Sequence, residues 1–165
     1  MNELRDLLAL NGIDLDGSDD SISDLDTWFF HNIEPDPDVP GRLLPMWYSV
    51  CRDIGLFLGD IMIKRHPNLR WEFFIWGRSN VSYQKHVIMG FGAEDPKHRT
   101  NLDVDRAVAT YGHRIVADRG SVQTYGTVDI RGVNLDLDAV LYEHKRPAVH
   151  PDQFQQLLNT AARRA

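Results

Sequence analysis

Apolar side chains recur every three or four residues in five stretches of the chain, and this spacing predicts five helices. The stretches are residues 2–15, 21–33, 45–66, 102–120 and 152–165. Polar side chains occupy most of the positions in between, so each helix is expected to bury one side against a shared core.

The third stretch, residues 45–66, is the predicted centre of the fold. Pro45 suits the first turn of a helix, and the apolar positions that follow extend well around the cylinder, as expected for a helix covered on more than one side. Gly55 and Gly59 lie one turn apart within it. Because each glycine costs a helix about 1 kcal/mol relative to alanine, the pair predicts a close approach by another backbone.

Polar residues indicate where two of the other helices begin. Ser21 or Ser23 is the expected N-cap of the second helix, and Asn101 or Asp103 lies near the expected N-cap of the fourth. These short side chains can accept a hydrogen bond from a backbone N–H that has no partner within the helix.

Alternating apolar and polar residues predict a β-hairpin whose strands are residues 69–76 and 81–91. The first strand contains "RWEFFIWGR", with aromatic side chains on both faces: Trp71, Phe73 and Ile75 on one, and Arg70, Glu72, Phe74 and Trp76 on the other. The more apolar face of the second strand carries Val81, Tyr83, Val87, Met89 and Phe91. Pairing the two apolar faces requires a loop with an odd number of residues, and this odd register is our prediction.

The odd register predicts one outward face that combines an acid, a base of tunable pKa and aromatic rings. Aromatic and arginine side chains are typical of binding hot spots, so we predict a binding surface on this face. The alternative is a second layer of helix that covers the face, with its polar groups paired at the rim. The six candidate binding residues are Arg70, Glu72, Phe74, Trp76, Gln84 and His86.

The predicted fold is a single α+β domain over residues 1–165. A central buried helix packs on a small antiparallel sheet built around the 69–76/81–91 hairpin, with further helices at its flanks. Alternation in residues 128–137, bent at Gly132, predicts one or two more strands, and residues 138–144 can add a helical turn.

Composition narrows the partners that the chain can have. The 165 residues include 24 acidic and 18 basic side chains, giving a net charge of −6, so nucleic acid is not an expected partner. The acidity suits solubility and attraction to a basic partner. No apolar run has the length of a membrane span, and the single cysteine, Cys51, suggests a reducing compartment. We therefore predict a cytoplasmic protein that does not enter membranes.

The sequence has no recognisable catalytic motif. It lacks a phosphate-binding loop, a dinucleotide fingerprint and paired cysteines, and its seven histidines lack the spacing of a zinc site. No metal or cofactor is predicted. One enzymatic alternative remains, a small hydrolase or metal-dependent enzyme with a site assembled from Asp53, Asp60, Glu72 and His86. Asp53 and Asp60 lie two helical turns apart, and the interpretation that we favour is that they form salt bridges or cap neighbouring backbone groups.

Residues 44–91 contain the pattern "WYS…RD.G..LG", followed by "HP.LRWE" and "VSYQ…GF". This pattern resembles a group of small actinobacterial proteins without an assigned activity, and it implies a shared fold over most of the chain. The order of a Leu- and Gly-containing helix and a Trp-bearing strand is also similar to immunity-type proteins of bacterial toxin systems. The resulting hypothesis is a non-enzymatic protein-binding module, immunity- or antitoxin-like, that acts alone or as a homodimer.

Overall fold

A computed structural model of the chain describes residues 2–92, 100–120, 127–130, 133–136 and 149–165. The described residues form an α+β fold of five helices and two antiparallel sheets of two strands each, which confirms the predicted class. The helices are α1 (Asn2–Leu10), α2 (Asp19–Asn32), α3 (Pro45–Arg65), α4 (Val104–Gly120) and α5 (Gln153–Arg164). The strands are β1 (Arg70–Phe74), β2 (Lys85–Met89), β3 (Thr127–Ile130) and β4 (Val133–Asp136).

Helix α3 is the centre of the hydrophobic core, as predicted. It begins at Pro45, and Ile54 and Leu58 within it are fully buried. Helices α1, α4 and α5 all contact it. Burial on several sides explains why its apolar positions extend so far around the helix.

Gly55 and Gly59 of α3 are each in close contact with another part of the chain, Gly55 with a backbone and Gly59 with a side chain. A Cβ on Gly55 would lie 3.0 Å from both the backbone nitrogen and the Cα of Asp105 at the start of α4, so the predicted close approach of a backbone is confirmed there. A Cβ on Gly59 would instead overlap the Trp71 indole, 2.6 Å from Cη2. Gly55 therefore sets the distance between α3 and α4, and Gly59 makes room for a side chain of β1.

A cluster of aromatic rings joins four helices around Phe29 of α2. The centroid of its ring lies 5.9 Å from Trp47 of α3, 5.6 Å from Tyr111 of α4 and 5.5 Å from Phe154 of α5. Tilted and edge-on ring pairs at these distances are favourable beyond the area that they bury. The cluster holds α2, α3, α4 and α5 together.

A buried carboxylate lies beside this cluster. Asp26 of α2 accepts a hydrogen bond from the Tyr111 hydroxyl at 2.7 Å and another from the Phe154 backbone N–H, also at 2.7 Å. Phe154 lies in the first turn of α5, where backbone N–H groups have no partner within the helix, so Asp26 caps α5 from a different helix. Burial raises the pKa of Asp26 to about 6, although both hydrogen bonds act in the opposite direction.

The helix starts are partly as predicted. Asp103 is confirmed as a capping residue of α4, since its Oδ1 accepts a hydrogen bond from the Arg106 backbone N–H at 3.0 Å. The prediction for α2 is wrong, because the N-cap is Ser18, whose hydroxyl oxygen accepts from the Ser21 N–H at 3.1 Å. Starting there places Asp19 in the first turn, where a negative charge is favourable.

The C-terminal part of the chain follows the predicted pattern where the structure describes it. Strands β3 and β4 pair antiparallel, with Ile130 opposite Val133, and α5 buries Phe154 and Leu158. The bend predicted at Gly132 and the helical turn predicted in residues 138–144 lie outside the described residues. Among the described helices, none is both long and apolar enough to cross a membrane.

Strands β1 and β2 pair antiparallel, but the predicted odd register is wrong. Arg70 lies opposite Met89 and Phe74 opposite Lys85, so the connection consists of residues 75–84, an even number. Both strands are also shorter than the predicted 69–76 and 81–91. Gln84, at the end of the connection, has a left-handed backbone with φ of 60°, and its N–H donates to the Phe74 carbonyl at 2.7 Å.

The even register is favourable because both faces of the hairpin contain buried side chains. Residues directly opposite one another point to the same face, so one face carries Ile88, which is buried in the main core, and Trp71, which is partly buried and packs against that core. The other face carries Phe74, Val87 and Met89, which form a second buried cluster. In the even register the more apolar faces of the two strands thus lie on opposite faces of the hairpin, and each face of the hairpin has buried side chains.

Candidate functional site

The six predicted binding residues do not form one surface. Glu72 and Arg70 lie on the same face of the hairpin and form a salt bridge of 3.0 Å. His86 lies on the opposite face, where its ring centroid is 5.2 Å from that of Phe73. Of the remaining three residues, Phe74 is buried. Trp76 and Gln84 are exposed and lie in the connection between the paired strands.

The structure instead places large exposed apolar side chains at the loop end of the hairpin. Phe73, Ile75, Trp76 and Val81 are 48%, 59%, 46% and 61% exposed, and we call these four residues the hairpin patch. Except for Trp76, sequence reasoning missed them because the odd register assigned them to the core-facing side. The sequence did contain a sign of this exposure. "RWEFFIWGR" has aromatic residues on both faces, which is more than a strand with one buried face needs.

An open groove of about 400 Å³ adjoins the hairpin patch. Val81 belongs to both, and the opposite wall comes from the first turns of α4, including Arg106 and Thr110. The groove holds its shape because β2 is tied to the segment before α4: Ile88 and Leu102 exchange two backbone hydrogen bonds, at 2.9 and 3.0 Å. The patch and the groove together are the candidate site.

A salt bridge anchors Asp103, one of the residues that line the groove. The Lys85 ammonium donates to Asp103 Oδ2 at 3.1 Å, and only 7% of the Asp103 side chain is exposed, against 48% for Lys85. Because Asp103 also caps α4, one carboxylate joins the start of β2 to the start of α4. The lysine is consequently held by this carboxylate while about half of its side chain stays exposed.

Replacing Asp103 by alanine is expected to lower the free energy of unfolding by about 2 kcal/mol, since the variant loses the cap of α4 and leaves Lys85 without its partner. Asp103→Asn retains an oxygen for the cap and should lose about half as much. Urea denaturation followed by circular dichroism measures both values. Equal stability of the alanine variant and the wild type would show that the cap contributes nothing.

A second carboxyl, that of Asp105, lies behind this salt bridge. Its Oδ1 is buried against Gly55 of α3 and has no hydrogen-bond partner among the described residues. Burial is the main cause that raises the pKa of Asp105; the charge of Asp103 adds to it, and Arg52, Lys85 and His86 act against it. Asp105 therefore takes up a proton more readily than an exposed aspartate would.

The residues of the enzymatic alternative do not converge on one surface. Glu72 and His86 point to opposite faces of the hairpin. Asp60 has a structural partner, because the Trp71 Nε1–H donates to its Oδ1 at 2.9 Å, and Asp53 lies half-buried on α3. Within the described part of the chain, no three His, Cys, Asp or Glu side chains are placed to hold a metal ion.

Cys51 belongs to the core. It is buried on α3, and burial raises the pKa of its thiol to about 12, with the charge of Asp105 adding to the effect. Since the thiolate is the nucleophilic form of cysteine, this environment suppresses reactivity.

Comparisons with known proteins add no relative. No family model matches the chain, and neither curated proteins nor solved structures give a significant match.

Proposed function

We propose that this protein is a non-enzymatic protein-binding module and that its binding surface is the hairpin patch together with the adjoining groove. The observation that carries the proposal is the exposure of Phe73, Ile75, Trp76 and Val81 at one end of a hairpin. Exposed apolar groups that cluster beside a groove are characteristic of interaction sites, and aromatic side chains dominate interface energies.

The narrower form of the proposal is an immunity- or antitoxin-like role in the cytoplasm. The small size of the chain and its resemblance to immunity-type proteins support this form, and the single cysteine suits a reducing compartment. A partner that is toxic when produced alone, and harmless when co-produced with this protein, is the expected observation.

Introducing a charge into the hairpin patch is expected to abolish partner binding without unfolding the protein. Ile75→Asp and Val81→Asp each replace a side chain that is more than half exposed, so stability should change little. At the interface each buried aspartate should weaken binding at least about tenfold. The measurement is the dissociation constant of the purified partner, first captured from the native host with the wild-type protein as bait.

Leu10→Asp is the matched control, because Leu10 is an 88% exposed apolar residue on α1, outside the hairpin patch. It should bind the partner like the wild type. If Ile75→Asp and Val81→Asp bind as tightly as Leu10→Asp, the hairpin patch is not the binding surface and the proposal is wrong.

A further inference from the structure

Charge is distributed unevenly along this acidic chain. Residues 1–63 contain thirteen acidic and three basic side chains, whereas residues 64–92, which include the hairpin, contain one acidic and five basic side chains. The excess of negative charge therefore belongs to the first 63 residues. Of the five basic side chains, Arg65, Arg70 and Lys85 each have an acidic partner, and Arg78 is the one charged residue in the connection 75–84, which carries three of the four patch residues.

The charged groups around the hairpin patch are also ordered by depth. Arg78, in the turn that closes the hairpin, and Arg106, on the wall of the groove, are exposed, and Lys85 is about half exposed. The nearby carboxylates are less accessible: Asp103 is buried, the Oδ1 of Asp105 is inaccessible, and Glu72, whose side chain is 28% exposed, is paired with Arg70. An approaching molecule thus meets the cations first.

We infer that the hairpin patch and its groove bind an acidic segment of the partner protein, with the apolar side chains of that segment on the patch and its carboxylates toward Arg78, Lys85 and Arg106. This inference rests on the proposed function, because it assumes that the same surface binds a protein. Arginine can bind carboxylates through two parallel hydrogen bonds, and the Lys85 ammonium, which donates one hydrogen to Asp103, carries three in all.

The net charge of −6 does not oppose this inference at physiological salt. The Debye length there is about 8 Å, so a ligand at the patch responds mainly to charges within that distance. Charges beyond that distance are largely screened, whichever helix carries them.

The same charges disfavour a second copy of this chain at the hairpin patch. A two-fold symmetric dimer places the same surface of both subunits face to face, which would bring the cations of one subunit toward those of the other. Nucleic acid is also disfavoured, since two of the four patch side chains, Ile75 and Val81, are aliphatic and provide no ring on which a base can stack.

The test is selection of random peptides displayed on phage with the wild-type protein as bait, after depletion against the double variant Ile75→Asp/Val81→Asp. The expected peptides combine Asp and Glu with aliphatic or aromatic residues, and their dissociation constants should rise with salt concentration. Selected peptides without an excess of acidic residues would overturn the inference and leave the proposed function standing. If no peptide distinguishes wild type from the double variant, the proposed function fails as well.

Charge reversal provides the quantitative readout. Arg78→Glu and Arg106→Glu should each weaken the binding of a selected acidic peptide about threefold to tenfold, the range expected for reversing one exposed ion pair. Arg42→Glu, which reverses an exposed arginine in the loop between α2 and α3, is the matched control and should leave binding unchanged. Equal binding by all three variants would overturn the inference.

Two further measurements exclude the competing ligands. A fluorescein-labelled single-stranded oligonucleotide of mixed sequence should bind more weakly than the selected peptide, and tighter binding would overturn the inference. In sedimentation equilibrium, Arg78→Glu and the wild type should have the same mass; a wild-type dimer that Ile75→Asp dissociates would identify a second copy as the occupant and equally overturn it.

Discussion

Replacing Gly59 by alanine is expected to lower the free energy of unfolding by about 2 kcal/mol, although alanine is the better helix former. The added Cβ would overlap the Trp71 indole, which lies directly on the glycine. The indole cannot move away freely, because its Nε1–H is bonded to Asp60 and its ring packs on the main core.

Two opposing effects decide the sign of this change. Removing a glycine from a helix interior gains about 1 kcal/mol, whereas forcing an extra carbon into a packed site typically costs 1 to 3 kcal/mol, and here the variant also strains a hydrogen bond worth about 1 kcal/mol. The costs are larger than the gain. Thermal unfolding should show a midpoint lower by about 4 to 8 °C.

Two controls separate the clash from other effects. Ser49→Ala changes an exposed position of the same helix and should be neutral or slightly stabilising. In a Trp71→Phe background the indole atoms that cause the overlap are absent, so Gly59→Ala should no longer destabilise. A cost that persists in this background would contradict the proposed cause.

Asp26→Ala is expected to cost about 3 kcal/mol at neutral pH, because it leaves the Phe154 N–H without an acceptor, removes the partner of the Tyr111 hydroxyl and creates a cavity beside the aromatic cluster. Asp26→Asn should be tolerated much better. The amide oxygen can accept from Phe154, and the Tyr111 hydroxyl can accept from the amide while it donates to the His150 carbonyl, which lies 3.3 Å away.

Stability should also depend on pH through Asp26. Its pKa is about 6 in the folded protein against an ordinary value of 3.8, so the folded state binds this proton more tightly than the unfolded state does. The stabilisation from protonation is therefore complete below about pH 4 and is lost as the pH rises through about 6; the difference corresponds to about 2 to 3 kcal/mol.

The measurement is the free energy of unfolding of the wild type and of Asp26→Asn between pH 4 and 7. The difference between the two proteins should change across this range, with the wild type relatively more stable at the acidic end. Asp24→Asn removes an exposed carboxylate from the same helix and is the matched control for loss of one negative charge. A difference that does not vary with pH would show that Asp26 titrates as it does in the unfolded chain.

The helices could be predicted from the sequence because their signals are local. Apolar spacing over several turns identified α3, and Pro45 marked its start. The N-cap of α2 could not be determined from local signals alone, since Ser18, Ser21 and Ser23 all have a suitable side chain. What selects Ser18 is the fit of Ile22 and Phe29 into a core whose other walls are distant in sequence.

The register of the hairpin could not be predicted in the same way. Hydrophobic patterning determines a register when one face is buried and the other is not, but this hairpin buries Ile88 on one face and Phe74 on the other. The candidate site depended on this choice. With the even register, Phe73 and Val81 are exposed, and His86 lies on the face opposite Glu72 and Arg70, which form a salt bridge with each other.

The capping of α5 by Asp26 could not be predicted from the sequence either, because the two residues that form the hydrogen bond are far apart along the chain. Asp26 lies within α2, and nothing near it in the sequence indicates that it will accept a hydrogen bond from Phe154 of α5. Such a contact depends on the packing of three helices. A polar residue on the apolar side of a predicted helix is the only local sign of it.

The even-numbered connection between β1 and β2 has a consequence for how this surface can diverge among descendants of the chain. A one-residue slip between the paired residues 70–74 and 85–89 would exchange the inward and outward side chains of a whole strand, whereas the ten residues 75–84, most of which are exposed, can change in sequence or length without moving that pairing. Binding preference can therefore drift through changes in the connection, while the paired strands stay fixed by the two buried layers on which they rest.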